Sequence, residues 1–117
     1  MPRRIIIAED DEDISVVLKG ILSQIIRDCK INTVSNGKEL VDRVRSEEYD
    51  LIITDYQMPL LDGLEAVRQI RRFDKIIPII VQSGMPIEKL ALEAGASEYL
   101  DKSYFDKMSE RVKFYLD

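Results

Sequence analysis

Short runs that are apolar at nearly every position alternate along this chain with longer segments apolar only at every third or fourth. Ile5-Ile6-Ile7-Ala8, Leu51-Ile52-Ile53-Thr54 and Ile76-Ile77-Pro78-Ile79-Ile80-Val81 are of the first kind, the pattern of strands covered on both faces. Ile31 to Val34 and Glu98 to Leu100 read as two shorter strands. Between them, Ile14, Val17, Leu18, Ile21, Leu22 and Ile25 predict one face of a helix. The same spacing recurs in Leu40, Val41 and Val44, in Leu64, Val67 and Ile70, around Leu90 to Ala94, and in Phe105, Met108, Val112 and Tyr115. Asp11 to Asp13, Ser35-Asn36-Gly37 and Asp62-Gly63 mark helix starts, where polar side chains satisfy free N–H groups. Gly95 closes the fourth helix.

Strand followed by helix, five times over, predicts an α/β fold: a parallel sheet with helices on both faces, joined by right-handed crossovers. At 117 residues the chain is expected to be a single domain, 1–117. In such sheets ligands lie beyond the carboxyl ends of the strands, where the strand order reverses. That rule directs attention to the acids after the first strand, Glu9-Asp10-Asp11-Glu12-Asp13.

Composition narrows the chemistry. With 45% hydrophobic and 33% charged residues the chain can bury a core, so disorder is excluded. A net charge of −5 argues against a nucleic-acid partner and fits a metal ion or a basic one. There is no histidine, which removes histidine triads, histidine metal ligands and a phosphohistidine donor. Cys29, expected near the end of the first helix, is the single cysteine, so no internal disulfide forms. No apolar stretch is long enough to span a bilayer, and Arg3-Arg4 precedes too short an apolar run for a signal peptide. No membrane partner is expected, and the expected location is the cytoplasm.

The strand ends gather a specific set of groups. The first strand ends in Glu9-Asp10, the third in Asp55 and the fourth in Ser83, and Lys102 follows the fifth. Neighbouring strands lie about 4.8 Å apart, so these groups converge on one pocket. Carboxylates held that close raise one another's pKa unless a cation neutralises them. Mg²⁺ suits an all-oxygen site of this kind. A metal, a carboxylate nucleophile, a hydroxyl and a lysine together make a phosphoryl-accepting site. Asp11 reads as the helix cap, and Glu12 and Asp13 as first-turn acids.

"IIIAEDDEDI", "YDLIITDYQMPLLDGLEAV", "IPIIVQSG" and "AGASEYLDK", in this order over nearly the whole chain, resemble the signature segments of the response-regulator receiver domain of two-component signalling. The resemblance implies a flavodoxin-like doubly wound sheet of strand order 2-1-3-4-5. It implies that Asp55 accepts a phosphoryl group from a histidine kinase or phosphotransfer protein. It places Mg²⁺ on Glu9, Asp10, Asp55 and the backbone carbonyl of Gln57. Lys102 and Ser83 would contact the phosphoryl oxygens, and Tyr99 would turn inward as a switch. The output face would be built from helix four, strand five and helix five, toward an effector, a downstream protein or a second copy. Such a receiver catalyses its own phosphorylation and dephosphorylation without turning over an external substrate.

The sequence departs from the family pattern in two places. Ser103 stands where a proline commonly follows the lysine, so the Lys102–Ser103 peptide is either strained or trans. The stretch from Ser83 to Lys102 is short, which predicts a short fourth helix. Phe114 falls on the far side of the last helix from Phe105, Met108 and Val112, where it would serve a dimer or effector contact. Other classes are weaker. A phosphatase using an aspartyl-phosphate needs a general acid two residues past the nucleophile, and Gln57 cannot act as one. A flavodoxin-like cofactor binder needs a phosphate-cradling loop where this chain has acids. The remaining alternative is a degenerate receiver acting as a phosphorylation-independent interaction domain.

Overall fold

The computed structural model describes residues 2–103 and 105–116, with Phe105 by its backbone alone. Five strands, β1 (Arg3–Ala8), β2 (Cys29–Val34), β3 (Leu51–Asp55), β4 (Ile79–Ser83) and β5 (Glu98–Asp101), alternate with five helices. The helices are α1 (Glu12–Ile25), α2 (Gly37–Ser46), α3 (Gly63–Phe73), α4 (Glu88–Ala94) and α5 (Phe105–Leu116). The strands form one sheet of order β2-β1-β3-β4-β5, parallel throughout. The doubly wound α/β fold expected from the alternation, with the strand order implied by the resemblance, is the fold observed.

Alternate strand residues feed two cores. Ile6, Ala8, Ile52, Ile79 and Val81 pack against α2, α3 and α4, while Ile5, Ile7, Leu51, Ile53 and Ile80 pack against α1 and α5. Both faces of β1, β3 and β4 are therefore dry, which explains why their sequences are apolar without alternation. Each fully buried isoleucine or leucine contributes about 1.5–3 kcal/mol by leaving water.

Three helices begin as expected. Asp11 Oδ1 accepts from the N–H groups of Asp13 and Ile14, Asn36 Oδ1 from Glu39 and Asp62 Oδ1 from Glu65. α4 is short, as the spacing predicted, and its N-terminal flank Ile87 supplies no side-chain cap. Its other end is fixed more firmly. Gly95 takes φ 119°, open to glycine, and Arg71 donates to the carbonyls of Gly95 and Ile77 at 2.8 and 2.7 Å.

Several expectations need correction. β4 starts at Ile79, not Ile76: Ile76 is 92% exposed because Asp74 Oδ1 accepts from the N–H groups of Ile76 and Ile77 and folds them into a turn. Val17 is exposed, since it lies about 100° around the helix from Leu18, which with Leu22 marks the buried side. Cys29 lies past the first helix and opens β2, after a turn in which Asp28 takes φ 53°. The Lys102–Ser103 peptide is trans. The expected packing of Phe105 lies outside the described residues, whereas Met108 and Val112 are buried as predicted and Tyr115 packs at the edge of the same core. No helix among the described residues is long and apolar enough to cross a membrane.

Candidate phosphoryl-acceptor site

β1 and β3 are neighbours in register, with Ala8 opposite Thr54, so the residues that follow each, Glu9 and Asp55, lie side by side. Both carry on the alternation of Ile7 and Ile53 and point to the α1/α5 face. Carboxylate oxygens of Glu9, Asp10 and Asp55 all lie within 4.8 Å of one another. Glu9 and Asp55 are buried and Asp10 is exposed, which leaves the cluster one open side.

Lys102 reaches this cluster from the far end of β5. Its Nζ lies 2.8 Å from Asp55 Oδ2, as a hydrogen bond, and 2.7 Å from Glu9 Oε1. The second contact is an ion pair to a buried oxygen, so one ammonium bridges Glu9 and Asp55. Glu9 Oε2 accepts from Asp11 N–H, and Asp55 Oδ1 from Tyr56 N–H. Three carboxylates face one ammonium, and the ionisation of Glu9 and of Lys102 reflects their surroundings. Burial, with the Asp55 charge, pushes the Glu9 carboxyl up against the pull of Lys102. Burial alone would lower the Lys102 ammonium, but hydrogen bonds and charge from Asp55 and Glu9 outweigh it and raise it.

The backbone around Asp55 is tightly enclosed. Thr54 Oγ1 donates to the Asp55 carbonyl, and Gly63 N–H donates to the Tyr56 carbonyl at 2.7 Å. A Cβ on Gly63 would stand 1.9 Å from the Asp55 carbonyl oxygen, and one on Gly37 2.2 Å from that of Leu61. The starts of α2 and α3 thus hold the loop after the candidate acceptor by direct backbone contact.

The remaining predicted residues fall around this centre at differing distances from its chemistry. Ser83 is buried at the end of β4, but its Oγ accepts from Met85 N–H and alternation turns it toward the opposite face from Asp55. Its carbonyl accepts from Lys102 N–H, which fixes the start of the lysine loop. The Tyr99 hydroxyl donates to the carbonyls of Ser83 and Met85, tying β5 to the β4–α4 loop. Burial, then the Asp101 charge, raises its pKa. Gln57 is exposed in the loop after β3. Phe114 is 63% exposed, with the Arg111 guanidinium 4.3 Å above its ring and Tyr115 edge-on. A cleft between Arg4, Tyr49 and Asp74 contains none of the predicted site residues.

Sequence reasoning overlooked Gln82. It is buried on β4 directly opposite Asp55 in the sheet register, and its Nε2 has no hydrogen-bond partner among the described residues. Only the register between β3 and β4 reveals it. Gly63 was read as a helix start and not as the residue that touches the backbone of Asp55.

An order 2-1-3-4-5 sheet with acids, a lysine and a hydroxyl at its carboxyl ends defines a receiver of two-component signalling. Residues 5–113 match the response regulator receiver domain family, and the chain belongs to it. It is similar to response regulator MprA of Mycolicibacterium vanbaalenii, 35% identical over 89% of this chain and 46% of that protein. It is also similar to the alkaline phosphatase synthesis transcriptional regulatory protein PhoP of Bacillus subtilis, 32% identical over 99% of this chain and 49% of that one. The chain spans about half the length of these relatives. Among solved structures, response regulator TrrA of Thermotoga maritima superposes with a TM-score of 0.88 at 35% identity, covering 97% of this chain and 99% of that one.

Proposed function

We propose that this receiver accepts a phosphoryl group on Asp55. The observation that carries the reading is the meeting of Glu9, Asp10 and Asp55 oxygens within 4.8 Å, with Lys102 bridging two of them. The all-oxygen donor set, three carboxylates against one ammonium, fits Mg²⁺. Glu9, Asp10, Asp55 and the Gln57 carbonyl would hold it, and when bound it supplies positive charge for the incoming phosphoryl oxygens. The TrrA structure was obtained with Mg²⁺ and beryllium fluoride.

An Asp55 carboxylate oxygen attacks the phosphorus of a phosphohistidine on a histidine kinase or phosphotransfer protein. The new P–O bond forms as the P–N bond breaks; the imidazole nitrogen keeps the electron pair and takes a proton from solvent. Lys102, already on Asp55 Oδ2, pairs with a phosphoryl oxygen. Ser83 must swing its Oγ from Met85 N–H toward Asp55 to reach another. Tyr99, bonded to the same loop, transmits that change to the face made by α4, β5 and α5, where an effector, a downstream protein or a second copy binds. The chain catalyses its own phosphorylation and dephosphorylation, turns over no external substrate, and works in the cytoplasm.

Incubation with Mg²⁺ and a small phosphodonor, followed by intact-mass measurement, tests this. Wild type gains one phosphate and Asp55→Asn gains none. No gain in wild type, with no Mg²⁺ binding, replaces the reading with a phosphorylation-independent interaction domain.

A further inference from the structure

The proposed chemistry leaves one buried polar side chain beside the acceptor without a task. Gln82 is 3% exposed, and its Cα is the register partner of Asp55 on the adjoining strand. It shares the alternation of Ile80, so its side chain points to the same α1/α5 face as Asp55 and Glu9. Nε2 is sealed from solvent and has no hydrogen-bond partner among the described residues. Amide donors left unpaired in an apolar interior destabilise the protein, and an apolar side chain of similar volume would avoid that.

The surroundings restrict what can satisfy the amide. Ile80 precedes it on the same face of β4, Leu100 is its register partner on β5, and both belong to the apolar cluster that contains Met108 and Val112. Above it, Lys102 must cross β4 to reach from the end of β5 to Asp55 on β3 and Glu9 on β1. The open direction is therefore toward the point where Lys102 Nζ meets Asp55 Oδ2. The unpaired Nε2 is a donor, which a metal cation cannot use. An acceptor arriving on Asp55 can.

We propose that Gln82 Nε2 donates a hydrogen bond to an oxygen of the phosphoryl group carried by Asp55. This rests on Asp55 being the acceptor. The donor is orphaned in the free protein and satisfied in the phosphorylated one, so its whole effect falls on the difference between the two states. It stands on the acceptor's own face, whereas the Ser83 hydroxyl starts on the other and is already engaged by Met85.

The test is binding of beryllium fluoride, a phosphoryl mimic, to the full chain in saturating Mg²⁺, followed by ¹⁹F NMR or calorimetry. Gln82→Met and Gln82→Leu are expected to bind it about tenfold more weakly than wild type. Their affinity for Mg²⁺ alone stays within about twofold, and their unfolding temperature is equal to or above that of wild type. Gln82→Glu, which puts an acceptor where the donor stood, binds it more weakly still. Unchanged beryllium fluoride affinity in Gln82→Met overturns the proposal. So does an equal loss of affinity for Mg²⁺ alone, which marks a merely structural role. Binding by wild type that Asp55→Asn abolishes and Gln82→Met leaves intact removes Gln82 while keeping the acceptor. No binding by wild type removes both.

Discussion

Lys102 Nζ sits 2.8 Å from Asp55 Oδ2, although the lysine follows β5 and Asp55 ends β3, with β4 between those strands. The lysine serves as the internal counter-ion of a cluster with excess negative charge. Lys102→Met leaves Glu9 and Asp55 buried without compensation and should destabilise the free protein by about 1–3 kcal/mol, discounted for the partial exposure of the lysine. Added Mg²⁺ should restore more stability to the variant than to wild type. Urea unfolding with and without Mg²⁺ measures both, and equal stabilities would mean the ammonium carries no compensation.

Gly63→Ala should be far more damaging than its size suggests. The new methyl group would stand 1.9 Å from the Asp55 carbonyl oxygen, so either α3 or β3 must move. A loss of about 3 kcal/mol or more is expected in denaturant unfolding, with slower Asp55 phosphorylation in whatever remains folded. Gly20→Ala is the control, because nothing lies within 4 Å of its added Cβ.

Arg71→Met tests the anchorage of α4. It removes the donors to the Gly95, Ile77 and Asp74 carbonyls and to Ser97 Oγ. The cost should be about 1–3 kcal/mol. Amide exchange should accelerate in Glu88–Ala94 before it does in α2 or α3, since α4 has no side-chain cap of its own.

Glu47 gives a pH signature at the opposite end of the molecule. Hydrogen bonds from Arg4 and then Arg43, both at 2.6 Å, hold its carboxyl below the ordinary glutamate value. The folded value is the lower one, so the stabilisation is present above the unfolded value and is lost as pH falls through the folded one. Glu47→Gln should therefore unfold at a lower temperature than wild type at pH 7. The gap should close as pH drops below about 4.5, and shrink in high salt because the group is partly exposed.

Much of this arrangement was legible in the sequence, for identifiable reasons. Isoleucine runs without alternation can be accommodated only by strands covered twice, so β1, β3 and the body of β4 were plain. Asp55 and Glu9 followed from where those runs stop. The start of β4 was misplaced because an apolar run does not show that Asp74 draws Ile76 and Ile77 into a turn. Val17 was misplaced because periodicity gives the step of a stripe and leaves its width open. Gln82 could not be seen at all: one polar residue before Ser83 means little until β3 and β4 are set side by side. The double contact of Lys102 depends likewise on the path of a side chain across a strand.

The pinch of Gly37 on Leu61 and of Gly63 on Asp55 also bears on how the chain tolerates change. At those two positions the contribution is the atoms that are missing, and any substitution adds some. Between them, Gln57, Pro59 and Leu60 project into solvent, with Leu60 79% exposed even at φ 68°. The loop beyond Asp55 is thus fixed where it joins the fold and by Met58, which packs on the α2/α3/α4 core, while the side chains of its other middle residues are exposed. Sequence drift at Gln57, Pro59 and Leu60 can retune what an approaching protein meets while the carboxylate stays where the two glycines hold it.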